Sequence, residues 1–275
     1  MAIVEADGVR LYAEETGAGV PIVFVHEFAG DCRSWEPQVR FFSRRYRCIT
    51  YNARGYPPSE VPEGLEQYGA THAVDDLAAV IRHFGLKNAH VVGLSMGAYA
   101  TLVLGLRYPQ LARSLVVAGA GSGSDPDTRG SFLDECDALA ARIVDRGMRE
   151  GSEPYANSPT RRRYAEKDRR GFEEFCRQFA EHSASGSAWT LRGYQMRRAT
   201  IYELEPQLKQ LQVPTLVVTG DDDTPCVGPA LFMKRTIPSA RLWVVPHTTH
   251  QINLEEPDAF NRAVLDFVTN VDGRA

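Results

Sequence analysis

No stretch of this 275-residue chain approaches the roughly 18 consecutive apolar residues of a membrane-spanning helix, so a chain threaded through a bilayer by helices is excluded. The opening MAIVEADGVRLYAEE carries acidic residues where an export signal needs a basic start and an unbroken apolar stretch. Cysteine is sparse: five residues, an odd number, scattered and without a C-x-x-C pair. A disulfide framework and a cysteine-based zinc or redox site are therefore not expected, and a reducing, cytoplasmic setting fits best. Excess positive charge is also lacking. A net charge of −4 gives no electrostatic reason to look for nucleic acid or an anionic membrane as partner. Neither an internal repeat nor a low-complexity tract is present.

What remains is a globular composition, 43% hydrophobic and 24% charged, at a length that suits one large domain with an insertion. Short β-branched runs at 21–26, 48–52, 90–94, 114–118, 215–219 and 242–245 alternate with helical periodicity at 35–45, 70–84, 96–108, 228–236 and 258–268. The runs are nearly continuously apolar, as expected of parallel strands covered on both faces. Residues 2–5 and 9–15 alternate instead and predict an antiparallel entry hairpin turning at Asp7-Gly8. The alternation lapses between 125 and 211, where periodicity is helical throughout. This predicts an α/β core formed by 1–124 and 212–275 with a helical cap, 125–211, inserted between. The cap's Arg161-Arg162-Arg163 run is expected to face solvent, with an anion-attracting entrance as the alternative.

The sharpest chemical signal is His90-Val91-Val92-Gly93-Leu94-Ser95-Met96-Gly97-Ala98, a strand running through G-x-S-x-G into an alanine-rich helix. Glycine on both sides lets the turn close without a side chain striking its neighbours, and the serine hydroxyl is lifted above the sheet at a helix N-terminus. Serine is a poor nucleophile without a base. Of seven histidines, His26, His247 and His250 fall at strand ends, and His250, between the last strand and the closing helix, is best placed to reach back over the sheet edge. The H-x-x-H pair made with His247 lacks a third ligand at suitable spacing, and no metal or other cofactor is expected. The acid is expected from another strand end, where Gly220-Asp221-Asp222-Asp223 offers three adjacent aspartates.

With elbow, acid loop and histidine loop in this order, the chain resembles the α/β-hydrolase family over nearly its whole length. The resemblance implies a mostly parallel eight-stranded sheet flanked by helices, with an inserted helical cap. Its G-x-x-D pattern selects Asp223 as the acid, with Asp125, after the preceding strand, as the alternative because some members take the acid from there, and its H-x-x-x-x-E-x-P pattern supports His250. It implies an oxyanion hole formed by the N–H groups of Met96 and Phe28. Where most relatives carry glycine, this chain has Glu27, and the family's architecture suggests Arg54 as its partner. Asn52-Ala53-Arg54-Gly55-Tyr56-Pro57-Pro58-Ser59 likewise departs from the family's D-x-R-G-x-G-x-S loop.

The expected activity is hydrolysis of a small carboxylic ester or lactone through an acyl-enzyme, with Phe28 and Trp189 as pocket walls and a small acyl compound as partner. A carbon–carbon bond hydrolase, a cofactorless oxygenase and a small-molecule receptor built on the same skeleton are the alternatives. Association into homo-oligomers is left open.

Overall fold

The computed structural model describes residues 1–273. Eight strands, β1 (Ala2–Ala6), β2 (Val9–Thr16), β3 (Val20–Val25), β4 (Tyr46–Tyr51), β5 (Ala89–Leu94), β6 (Ala112–Ala118), β7 (Thr215–Gly220) and β8 (Ala240–Val245), form one sheet in the order β1-β2-β4-β3-β5-β6-β7-β8. The pairs β1/β2 and β2/β4 are antiparallel, and every pair from β4/β3 to β7/β8 is parallel. The helices are α1 (Glu36–Phe42), α2 (Ala70–His83), α3 (Met96–Arg107), α4 (Arg129–Gly151), α5 (Glu153–Ala156), α6 (Arg162–Lys167), α7 (Arg169–Ala180), α8 (Ala184–Trp189), α9 (Glu205–Leu208), α10 (Thr224–Thr236), α11 (Ile252–Glu255) and α12 (Pro257–Asp272).

Strand periodicity divides the apolar residues between two cores. Ile22, Phe24, Val92, Leu94 and Val116 point to the face covered by α1 and α12, against Trp35, Phe42, Phe260 and Phe267. Val23, Val25, Val91, Leu115 and Val117 point to the face covered by α2 and α3, against Val74, Leu77, Ile81 and Leu102. Both faces of the central strands are buried, which explains runs that are apolar at every position.

From the end of β6 to the start of β7 the chain is helical and irregular, with α4 to α9 and a π-helical turn at Thr190–Gln195. Several helix boundaries differ from expectation. The helix expected over 35–45 is shorter, α1 spanning Glu36–Phe42 with Pro37 in its first turn; a 3-10 turn, Cys32–Trp35, with Asp31 accepting from the Arg33 N–H, leads into it, and α12 runs on to Asp272, beyond the expected 268. Helix α10 starts four residues before the expected Gly228, with Pro225 in its first turn and Pro229 inside. Parallel strands entering from one side bring the C-terminal ends of β3, β5, β7 and β8 to a common edge, and all the singled-out loops emerge there.

Candidate active site

One residue separates β5 from α3. Ser95 reverses the chain with φ 54° and ψ −111°, a conformation that costs a residue with a side chain roughly 1–3 kcal/mol. Its N–H donates to the Ala118 carbonyl at 2.8 Å, and its carbonyl accepts from the Tyr99 N–H at 3.0 Å, so strand and helix hold the strained turn from both sides. A Cβ on Gly97 would collide with the Val25 carbonyl oxygen, and one on Gly93 with the Gly97 carbonyl and the Thr101 hydroxyl. The two glycines are needed for close backbone approach.

Two short hydrogen bonds connect the three expected residues. His250 Nε2 lies 2.7 Å from Ser95 Oγ, and His250 Nδ1 lies 2.8 Å from Asp223 Oδ2. The carboxylate is an acceptor only, so Nδ1 carries the proton and the neutral ring turns an unprotonated Nε2 toward the Ser95 hydroxyl. Asp223 is fully buried, and its second oxygen, Oδ1, has no partner among the described residues. Burial opposes charge on the His250 ring, yet the adjacent Asp223 carboxylate outweighs it and holds the imidazolium form well above its ordinary pKa of 6.5. Behind the ring, the Cys226 thiol donates to the Gly119 carbonyl at 3.3 Å, and burial pushes its pKa up, keeping it a neutral packing group. Asp223, Cys226 and His250 present ligand-type atoms within 4.8 Å of one another, but two of the three are already committed to Ser95 and to each other.

Asp125 does not join this cluster. It is solvent-exposed and accepts from the Asp127 N–H at 2.9 Å, a local turn contact. His247 is also exposed, in a left-handed conformation at φ 55°. The glutamate of the H-x-x-x-x-E-x-P pattern has a structural task. Glu255 accepts from the Thr249 N–H at 2.8 Å, the Thr249 hydroxyl at 2.6 Å and the Gln251 N–H at 3.1 Å, clamping both neighbours of His250.

The Phe28 and Met96 N–H groups donate to no protein acceptor among the described residues. In a trans peptide the N–H points opposite to the carbonyl of the preceding residue, so fixing that carbonyl aims the donor. For Met96 the carbonyl is that of Ser95, held by the Tyr99 N–H. For Phe28 it is that of Glu27, which accepts from His26 Nδ1 at 2.7 Å and from the Gly30 N–H at 3.2 Å. Burial depresses His26 to about 4, and its Nε2 accepts from the Ala53 N–H at 3.0 Å, so the ring is neutral with its proton on Nδ1.

The expected Glu27–Arg54 pair does not form. Arg54 instead makes a bidentate pair with Asp76 of α2, both bonds at 2.7 Å. Glu27 takes Arg161 from the inserted segment, at 3.0 Å and 2.6 Å, and accepts from Gln251 Nε2 at 2.9 Å. The guanidinium lies between the Tyr155 and Phe175 rings, 5.0 Å from each centroid. Burial raises the Glu27 pKa, but the Arg161 charge overrides it and holds the carboxyl below its ordinary value. The solvated face expected for the arginine run is corrected as well. Arg161 is fully buried, Arg163 is committed to Asp222 and Glu166, and Arg162 alone is mostly exposed. The peptide immediately before Arg161 adds a second tie: the His250 N–H donates to the Thr160 carbonyl at 3.1 Å.

A cavity of about 100 Å³ opens between Ser95 and the inserted helices, its wall including His250, Phe28, Leu139, Tyr155, Leu191 and Arg198. Phe28 lines it as expected. Trp189 does not: it is half-buried at the end of α8, and the π-helical turn that follows presents Leu191 and Gln195 to the cavity in its place.

The chain has recognisable relatives among known proteins. It matches the model of the alpha/beta hydrolase fold family over residues 20–257, and it belongs to that family. It is 26% identical to 3-oxoadipate enol-lactonase 2 of Acinetobacter baylyi over 249 residues, covering 88% of this chain and 86% of that protein. Among solved structures it resembles a thermophilic esterase from Thermogutta terrifontis, with TM-score 0.85, 23% identity and 98% of each chain covered. It also resembles the enol-lactonase from Burkholderia xenovorans, with TM-score 0.83, 22% identity, and 98% of this chain and 100% of the other covered. At these identities the two structures speak to the fold alone.

Proposed function

We propose that this protein is a serine hydrolase that cleaves a small carboxylic ester or lactone through an acyl-enzyme. The observation that carries the reading is the unbroken relay from Ser95 Oγ through His250 to buried Asp223, at 2.7 Å and 2.8 Å. Ser95 Oγ attacks the acyl carbon as His250 Nε2 takes its proton. The tetrahedral oxygen places its negative charge against the Met96 N–H at the start of α3 and the Phe28 N–H in the loop after β3. His250 then gives the proton to the departing alcohol, and water, deprotonated by the same nitrogen, releases the acid and restores Ser95. Asp223 fixes the tautomer and stabilises the imidazolium. The enol-lactonase relative acts on an acyl bond of this kind, in keeping with the reading.

Repeated turnover of 4-nitrophenyl butyrate, with Ser95→Ala protein as the blank, tests it. Many product equivalents per enzyme, lost in the variant, support a hydrolase. One slow equivalent per chain would support the receptor reading instead.

A further inference from the structure

Arg198 lies on the wall of the catalytic cavity, and it is 9% exposed. Unlike Arg161 and Arg54, it has no carboxylate within 4.0 Å among the described residues, whereas those two arginines make bidentate ion pairs. One of its nitrogens donates to the Ser122 carbonyl at 3.0 Å, and its guanidinium stacks 4.9 Å from the Tyr99 ring centroid. A guanidinium has five N–H donors, so most of this group's hydrogen-bonding capacity is unspent. A buried cation without a counter-ion is costly, and proteins normally pair it.

A second, independent observation lies beside it. Gln195, on the same cavity wall and 6% exposed, has a buried Oε1 with no partner among the described residues. Its position follows from the π-helical turn at Thr190–Gln195, which brings Leu191 and Gln195 to the cavity together. The one acidic residue on the wall, Glu135, is solvent-exposed and makes no ion pair with Arg198. Arg129 braces the arrangement, donating to the Met196 and Arg198 carbonyls at 3.0 Å and 3.3 Å and to the Gly123 carbonyl at 2.9 Å.

We propose that Arg198 and Gln195 form a subsite for a free carboxylate of the substrate, so that the ester or lactone opened by Ser95 belongs to an acidic compound. The inference rests on the ester-type reaction proposed above. The guanidinium fork suits a carboxylate's two oxygens, and the Gln195 amide provides one further N–H donor toward the anion, while its oxygen accepts a hydroxyl or water beside it. The partly apolar wall between, with Leu139, Leu191 and Phe28, suits the short chain linking the two ends.

The test compares 4-nitrophenyl hydrogen adipate with its methyl ester, 4-nitrophenyl methyl adipate, which differs only in the masked charge. Wild-type protein should favour the acid by about 10- to 100-fold in kcat/KM, mainly through KM, as expected for charge-assisted hydrogen bonds. Arg198→Met should bring that ratio towards 1, Arg198→Lys should retain part of it, and Gln195→Met should lower it. A wild-type ratio near 1, or a ratio unchanged in both Arg198→Met and Gln195→Met, overturns the proposal and leaves Arg198 a brace for Ser122. Calorimetry with adipate separates this from failure of the proposed reaction. Should neither ester show Ser95-dependent hydrolysis, the reaction falls. The subsite then stands if adipate binds wild-type protein and not Arg198→Met, and falls if adipate binds neither or both alike.

Discussion

Arg161 reaches from the helical insertion into a fully buried, bidentate ion pair with Glu27, the residue whose carbonyl sets the direction of the Phe28 N–H. The same carboxylate holds Gln251, the neighbour of His250. The insertion, the loop after β3 and the loop carrying His250 are therefore tied at one charge pair. The orientation of the insertion over Ser95 and the direction of the Phe28 N–H are mechanically linked.

Removing one partner of a buried pair leaves the other uncompensated, so Arg161→Met should cost about 3–5 kcal/mol of stability and lower kcat as well. Glu27→Gln combined with Arg161→Met should cost clearly less than the two single changes together. Urea unfolding and ester kinetics on the four proteins measure this coupling, and strictly additive effects would show that the pair does not act as a unit. The pH dependence has a defined sign. The Glu27 pKa is held below its unfolded value, so its contribution is present above the ordinary carboxylate range and is lost as pH falls through the folded pKa. Stability measured from pH 7 downward should fall less steeply in the doubly substituted protein.

The proposed reaction needs His250 neutral at Nε2 to accept the serine proton, and Asp223 raises its pKa above 6.5. Activity should accordingly rise with pH through an acid limb set by His250 and lying above that ordinary value. Asp223→Asn should cost on the order of 10⁴ in kcat through the wrong tautomer, and should move any residual limb to lower pH. An unchanged limb in that variant would mean that another group controls the profile.

Gly97 and Gly130 make a matched pair of glycine tests. A Cβ at Gly97 meets the Val25 and His26 carbonyl oxygens, whereas one at Gly130, inside α4, meets nothing within 4 Å. Gly97→Ala should severely reduce activity and stability by displacing the oxyanion loop. Gly130→Ala should stabilise by about 0.5–1 kcal/mol, because alanine loses less backbone entropy in a helix. Thermal melts and ester assays of both proteins check the contrast.

Leu139 lines the cavity and Trp189 does not. Leu139→Ala should therefore shift the hexanoate-to-acetate ratio of kcat/KM upward by about tenfold, the usual worth of a small change in pocket volume. Trp189→Phe should leave the ratio as it is. A shift with Trp189→Phe and none with Leu139→Ala would place the acyl pocket elsewhere.

The strand runs, the elbow and the order of the loops were legible in the sequence because each is a local pattern: apolar continuity, glycines at fixed offsets, a histidine between strand and helix. The resemblance added Asp223 by its place after Gly220. The partner of Glu27 was not legible, since Arg161 lies 134 residues away and reaches it only through the packing of the insertion. Arg54 was equally far from a local rule: Asp76 on α2 claims it through two bonds at 2.7 Å. Arg161, Arg162 and Arg163 look alike in sequence, and only their directions at the N-terminus of α6 send one into the interior and leave another in water. Trp189 fails as a wall for a related reason. A π-helical turn begins immediately after it, and this irregular winding carries no recognisable sequence signal.

The most direct test of the central claim is intact-mass analysis after exposure to a fluorophosphonate, followed by peptide mapping. A single covalent adduct on Ser95, absent from Ser95→Ala protein and greatly slowed in Asp223→Asn protein, is the predicted result. An adduct that persists in Ser95→Ala, or wild-type protein that takes up no label, would contradict the assignment of Ser95 as an activated nucleophile.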